Sequence, residues 1–187
     1  NSDAINNSGT LQAKEMLQTE SQQFTNSGSV LSEDQLMLDT AALSNAGSLQ
    51  GQRLNVNADR WLNSGKALSL AEGTLTTGSL TNTGTIFGQQ ALDVNSGETI
   101  NNGLLQGTTA LRFSGQRLTN QAKGIVSSDN SFGLDLPELN NAGLISSGAA
   151  LTLSGGSLIN AGEISAASLT ADNGSVSNQQ GGVLLAD

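Results

Sequence analysis

Asn-x-Gly recurs along the whole chain at nearly constant spacing. Copies begin at Asn7, Asn26, Asn45, Asn63, Asn82, Asn101, Asn141 and Asn160. Two stretched copies run from Asn120 to Gly124 and from Asn178 to Gly182. Successive asparagines lie 19, 19, 18, 19, 19, 19, 21, 19 and 18 residues apart. A repeat this short cannot bury its own apolar face, so the unit that folds is the stack of repeats.

Each repeat carries the same apolar code around its Asn. Two positions earlier stand Ile5, Phe24, Leu43, Trp61, Leu80, Leu118, Leu139, Leu158 and Val176. At +4 stand Leu11, Val30, Leu49, Ala67, Ile86, Leu105, Ile145 and Ile164. About six positions later comes an alternating pair, as in Leu36/Leu38, Leu54/Val56, Leu92/Val94, Leu111/Phe113, Phe132/Leu134 and Leu151/Leu153. Apolar residues two apart mark one face of a strand. Every repeat thus offers three short strands between Gly, Ser and Asn turns. Helical periodicity is absent except for a turn expected at Gln12 to Glu20, within a helix-former-rich excursion over 12–23.

Three strands per repeat without helices predict an all-β fold, a parallel β-helix of about ten ~19-residue coils. At a strand spacing of ~4.8 Å, ten coils make a rod about 45–50 Å long. A leucine-rich repeat shares the period but needs Leu-x-x-Leu-x-Leu-x-x-Asn, which these residues do not supply. The ten asparagines, including Asn120 and Asn178, are read as a structural ladder at one corner, because a carboxamide both donates and accepts along a stack. Asn and the Gly at +2 are also expected to tolerate a left-handed corner. The insertions at 121–123 and 179–181 widen that same corner. Around Thr99–Gly103 the register is ambiguous, since Ile100 and Asn102 could equally supply the ladder pair. Pro137 suits a strand end, and Trp61 a core position.

The runs Leu80-Thr81-Asn82-Thr83-Gly84-Thr85-Ile86 and Leu139-Asn140-Asn141-Ala142-Gly143-Leu144-Ile145 resemble the repeat of filamentous haemagglutinin-type exoproteins. So does Leu158-Ile159-Asn160-Ala161-Gly162-Glu163-Ile164, and the resemblance covers all ten repeats. It implies a right-handed β-helix in a long surface protein of a Gram-negative bacterium. Export would use an outer-membrane two-partner transporter, and localisation would be secreted or cell-surface. The family includes adhesins, haemolysins and the CdiA toxins of contact-dependent growth inhibition. Neither a secretion-domain signature nor a toxin domain is recognisable in this chain. Residues 1–187 are therefore read as one repeat segment of a much longer exoprotein, begun in mid-pattern at Asn1.

Composition narrows the chemistry. The net charge is −9, and the seven cations are well separated, which argues against nucleic acid as a partner. The chain has no His, Cys or Tyr. No transmembrane run or signal peptide is visible. Candidate carboxylates for glycoside hydrolysis are Glu33/Asp34, Asp39, Asp59, Asp93 and Asp135. Glu33-Asp34 is the only adjacent acidic pair and falls in a polar turn. Asp39 and Asp59 are placed in turn-like stretches, while Asp93 and Asp135 alternate with inward aliphatics and point outward. No catalytic, cofactor-binding or metal-binding residue is assigned, and no cofactor is expected. The leading expectation is a stalk projecting a distal receptor-binding or toxin-bearing part, with the flanking repeats as partners. The second is a lateral face that binds a host or neighbouring-cell receptor, and the third, a distant one, is a polysaccharide-active enzyme. A patch of exposed apolar residues confined to a few coils would favour the second.

Overall fold

The computed structural model describes residues 2–187. They form sixteen strands in one continuous sheet, all of whose pairings are parallel; no helix occurs among the described residues. Each residue pairs with its equivalent one coil away, as in Leu36 with Leu54 and Leu118 with Leu139. The fold is a β-solenoid of about ten turns.

One coil shows how the code builds the turn. After Asn26, Ser27 and Gly28 turn the chain into the strand Ser29–Ser32, here called the short face. Glu33 and Asp34 turn it again into Gln35–Asn45. That second element is one extended run rather than two separate strands. It bends at Ala41, which skips pairing while its neighbours Thr40 and Ala42 keep theirs. Residues 35–39 form the middle face, and residues 42–45 form the ladder face that ends on the next Asn. Equivalent bends fall at Gln22, Asp59, Gly78, Gln116, Pro137 and Gly156. Pro137 sits where no ladder bond is required of its nitrogen, so its missing N–H is harmless.

The inward columns are mostly apolar and buried. On the short face Val30, Leu49, Ala67, Ile86, Leu105, Val126, Ile145 and Ile164 are all fully buried. On the ladder face the column runs Phe24, Leu43, Trp61, Leu80, Thr99, Leu118, Leu139 and Leu158. The register near residue 100 is therefore settled. Thr99 points inward and Ile100 points out, 41% exposed, because Thr99 pairs with Leu80 and Leu118 in the inward column.

Two expectations are corrected. The segment 12–23 contains no helical turn; it is covered by the strands Thr10–Ala13 and Met16–Asn26. Helix propensity is a weak preference, and here pairing of residues 16–26 with 35–45 overrides it. The glycines at +2 are not there for left-handed geometry either. Positive φ occurs only at Gly155 and Gly181 among the described residues, and at no non-glycine residue. A Cβ on Gly28, Gly47, Gly65, Gly84 or Gly103 would run into the carbonyl oxygen of the Gly one coil before it. Glycine is required because successive corners stack backbone on backbone.

Candidate functional site

All ten asparagines stand one above another at the corner entering the short face. Asn7 Nδ2 donates to Asn26 Oδ1 at 2.8 Å, and the same bond repeats from Asn26 to Asn45, Asn45 to Asn63, Asn63 to Asn82 and Asn82 to Asn101. It continues from Asn101 to Asn120, Asn141, Asn160 and Asn178 at 2.8–2.9 Å. Every bond runs the same way, with the earlier coil donating. From Asn7 to Asn160, each Nδ2 also reaches the carbonyl of its own corner Gly and one carbonyl of the next coil, as Asn82 does to Gly84 at 3.3 Å and Leu104 at 3.0 Å. The column thereby satisfies turn carbonyls that face the interior.

This saturation decides what the ladder can do. From Asn26 to Asn160 the side chains are almost wholly buried. Each Oδ1 is taken by the amide of the coil before it, and each Nδ2 is shared among three acceptors. Burial closes these amides to any metal or substrate from solvent. The stretched corners keep the pattern: Asn120 bonds Gly124 at 3.1 Å and Asn178 bonds Gly182 at 2.9 Å, so residues 121–123 and 179–181 bulge outward around an unchanged corner.

A second polar column, not anticipated from the sequence, lines the bend. Ser21, Thr40, Thr77 and Ser96 stand five residues before an Asn and are buried. Thr77 donates to the Ser79 carbonyl at 2.9 Å and Ser96 to the Glu98 carbonyl at 2.8 Å. Ser21 bonds Thr40 at 3.2 Å across coils. The signal was legible as a small or hydroxyl residue at −5 in most repeats, but apolar periodicity does not see it.

The carboxylates are all on the outside. Asp34 pairs with Arg53 at 3.0 Å and Asp93 with Arg112 at 3.1 Å. Asp135 accepts from Ser154 at 3.1 Å. Asp39 lies at the outward end of the middle face rather than in a turn, and accepts from Asn57 at 3.2 Å. Asp59 occupies the bend. A shallow open groove along the bend of the first coils gathers Asp3, Glu20, Asp39 and Asp59. All four are exposed and no cation lines the groove, so nothing separates one as acid from another as base. No cluster of His, Cys, Asp or Glu suited to a metal ion occurs among the described residues. Arg117 lies between Glu98 and Glu138, at 3.6 and 2.7 Å. The hydrogen bond from Asn140, reinforced by Arg117, holds the Glu138 carboxyl below its ordinary range.

The faces differ in charge. Outward residues of the middle and ladder faces include Arg53, Asp93, Arg112, Glu98, Arg117 and Glu138. Outward positions of the short face carry only Lys66 and Glu163 among the described residues, with Leu68, Phe87, Leu104, Ile125 and Leu144 between them.

Compared with known proteins, the chain matches the family model described as haemagglutinin repeat over residues 1–52, 52–135 and 133–187. No curated protein and no solved structure matches it.

Proposed function

The chain belongs to the haemagglutinin repeat family, and from that premise we propose that it is a shaft segment of a longer filamentous exoprotein, stiff enough to hold a distal binding or toxin-bearing part away from the cell. Proteins of this family are typically secreted, surface-associated exoproteins, and the repeats on a β-solenoid support a filamentous, adhesin-like segment. The observation that carries the shaft reading is the unbroken Asn column, ten residues joined by nine side-chain bonds through every coil. Bending the rod in any direction would stretch the ladder bonds on its convex side and compress those on the opposite side.

Export fits the same reading. Coils contact their neighbours at sequence separations near 19 residues, so a solenoid can grow one coil at a time as an unfolded chain emerges. A cysteine-free sequence suits passage through an oxidising periplasm. We accordingly assign export through an outer-membrane partner transporter of a Gram-negative cell to this proposal, with the CdiA-type toxins and the adhesins as the two kinds of exoprotein it would serve.

One observation favours lateral recognition as a second reading: the nearly uncharged short face carries a run of outward apolar residues, Leu68, Phe87, Leu104 and Leu144 half-buried and Ile125 exposed, and contiguous apolar surface marks an interaction site. Titrating the isolated, labelled chain onto target cells separates the two. A shaft leaves cells unlabelled. Saturable binding that Phe87→Ser abolishes would instead assign recognition to this face.

A further inference from the structure

We propose that the short face is a self-complementary interface, through which a second copy of this chain packs side by side with its rod running antiparallel. The outward column next to the Asn corner reads Lys66, Thr85, Leu104, Ile125, Leu144, Glu163 over six consecutive coils. A two-fold axis along the strand direction, placed midway between Leu104 and Ile125, reverses the order of coils and leaves columns facing columns. It sets Lys66 of each copy opposite Glu163 of the other, five coils from its own Glu163. It sets Leu104 opposite Ile125 at the centre and Thr85 opposite Leu144 between.

The second outward column agrees with the same axis independently. It reads Leu68, Phe87, Gln106, Ser127, Ser146, Ser165 over those coils. The axis places Phe87 opposite Ser146 and Leu68 opposite Ser165, so each large side chain meets a small one. The flanking turns add little repulsion, because over these coils they carry only Lys123 and Asp129 as charges. Strands of the two copies run in one direction, the aligned arrangement in which sheets stack about 10 Å apart.

At a net charge of −9 two copies repel, and the short face lets them approach with few charges in the contact and opposite ones matched at both rims. The area is modest: six strands at ~4.8 Å by four residues at ~3.3 Å present roughly 300–400 Å² per copy, below the ~800 Å² per partner of a stable complex. The pairing is therefore weak for this chain alone and visible only at high concentration.

Sedimentation equilibrium of the 187-residue chain at rising concentration, up to the millimolar range, tests it. The wild type should show a monomer–dimer equilibrium. Lys66→Glu and Glu163→Lys should each weaken it by about tenfold, because each places like charges opposite one another at both rims. Glu163→Lys is the discriminating variant, since it lowers the net negative charge and would strengthen any non-specific association. The double variant K66E/E163K should return to within about threefold of wild type, and Arg60→Glu on the ladder face, which makes the same net-charge change as Lys66→Glu, should weaken it by less than about twofold. All three substituted positions are exposed, and circular dichroism checks that each of the four variants is folded. A wild type that stays monomeric throughout, single swaps without effect, or a double swap that fails to rescue would each overturn the proposal. So would a monomeric wild type whose cell binding is lost in Phe87→Ser, which would make the face a receptor site.

Discussion

Asn82 donates its side-chain amide to Asn101 Oδ1 at 2.8 Å while its own Oδ1 accepts from Asn63 at 2.8 Å. Both ends of the carboxamide are used, and both partners lie one coil away. Replacing Asn82 with Ala should cost about 1–3 kcal/mol, because it removes the buried side-chain bonds to Asn63, Asn101, Gly84 and Leu104. Asn82→Asp should be worse at neutral pH, where a buried carboxylate would face carbonyl oxygens with no proton to donate. It should recover in part at acid pH, where the protonated carboxyl can donate again. Urea titrations of both variants at two pH values check this; equal destabilisation at both would mean that the donor is dispensable.

Inside and outside should separate cleanly on the middle face. Leu92 is buried with Leu111 beside it, and Asp93 points out to Arg112. Truncating Leu92 to Ala should cost about 2–5 kcal/mol through lost burial and a cavity. Leu151→Ala should behave alike. Asp93→Asn should change stability by less than about 0.5 kcal/mol, since its ion pair is exposed. Chemical denaturation of the three variants decides it, and a damaging Asp93→Asn would invert the assignment.

Two glycines of the same motif should respond differently. At Gly47 a new Cβ would collide with the Gly28 carbonyl oxygen and the Ser27 backbone, whereas at Gly9 it would meet nothing within 4 Å. Gly47→Ala should therefore cost about 1–3 kcal/mol or more, as overpacking against backbone does. Gly9→Ala should stay within about 0.5 kcal/mol of wild type. Similar thermal midpoints for the two would show that a conformational preference, not stacking, selects glycine here.

Acidity should touch the Arg117 cluster. The Glu138 carboxyl is held below its unfolded value by Asn140 first and Arg117 second. A depressed carboxyl stabilises the folded state above its unfolded pKa of about 4.3 and loses that contribution as pH falls through the folded value. Glu138→Gln should thus lower stability slightly at pH 7, and the difference should shrink as pH falls through the carboxyl's folded value. The group is solvent-exposed, so the effect is small, and a difference that grows on acidification would contradict it.

Much of this architecture could be read from the chain because a solenoid repeats its evidence. Each inward position, such as Leu43 between Phe24 and Trp61, is vouched for by its equivalents above and below. Reading failed where one coil departs from the rest or where the signal is not apolar. Thr99 hides in an aliphatic column beside a more hydrophobic Ile100, so hydropathy alone points to the wrong residue. The hydroxyls of Thr77 and Ser96 look like loop residues until the bend turns them inward. The stacking role of Gly47 depends on the neighbouring coil's backbone, which no local pattern contains. The charge contrast between faces also stays hidden, since Lys66 and Glu163 are far apart in the chain and share a column only after coiling.

On the proposed function, coils act as interchangeable lengths of shaft whose register matters more than their surface. Removing residues 8–45 from the full exoprotein joins Asn7 to Ala46-Gly47, deletes two whole coils and leaves the stretch from Lys66 to Glu163 intact. The measurement is target-cell binding or toxin delivery by this variant, normalised to the amount displayed on the surface. A shaft role predicts near wild-type function from a rod shorter by about 10 Å. Normal surface display with function abolished would contradict it, because the deleted coils would then carry the activity themselves.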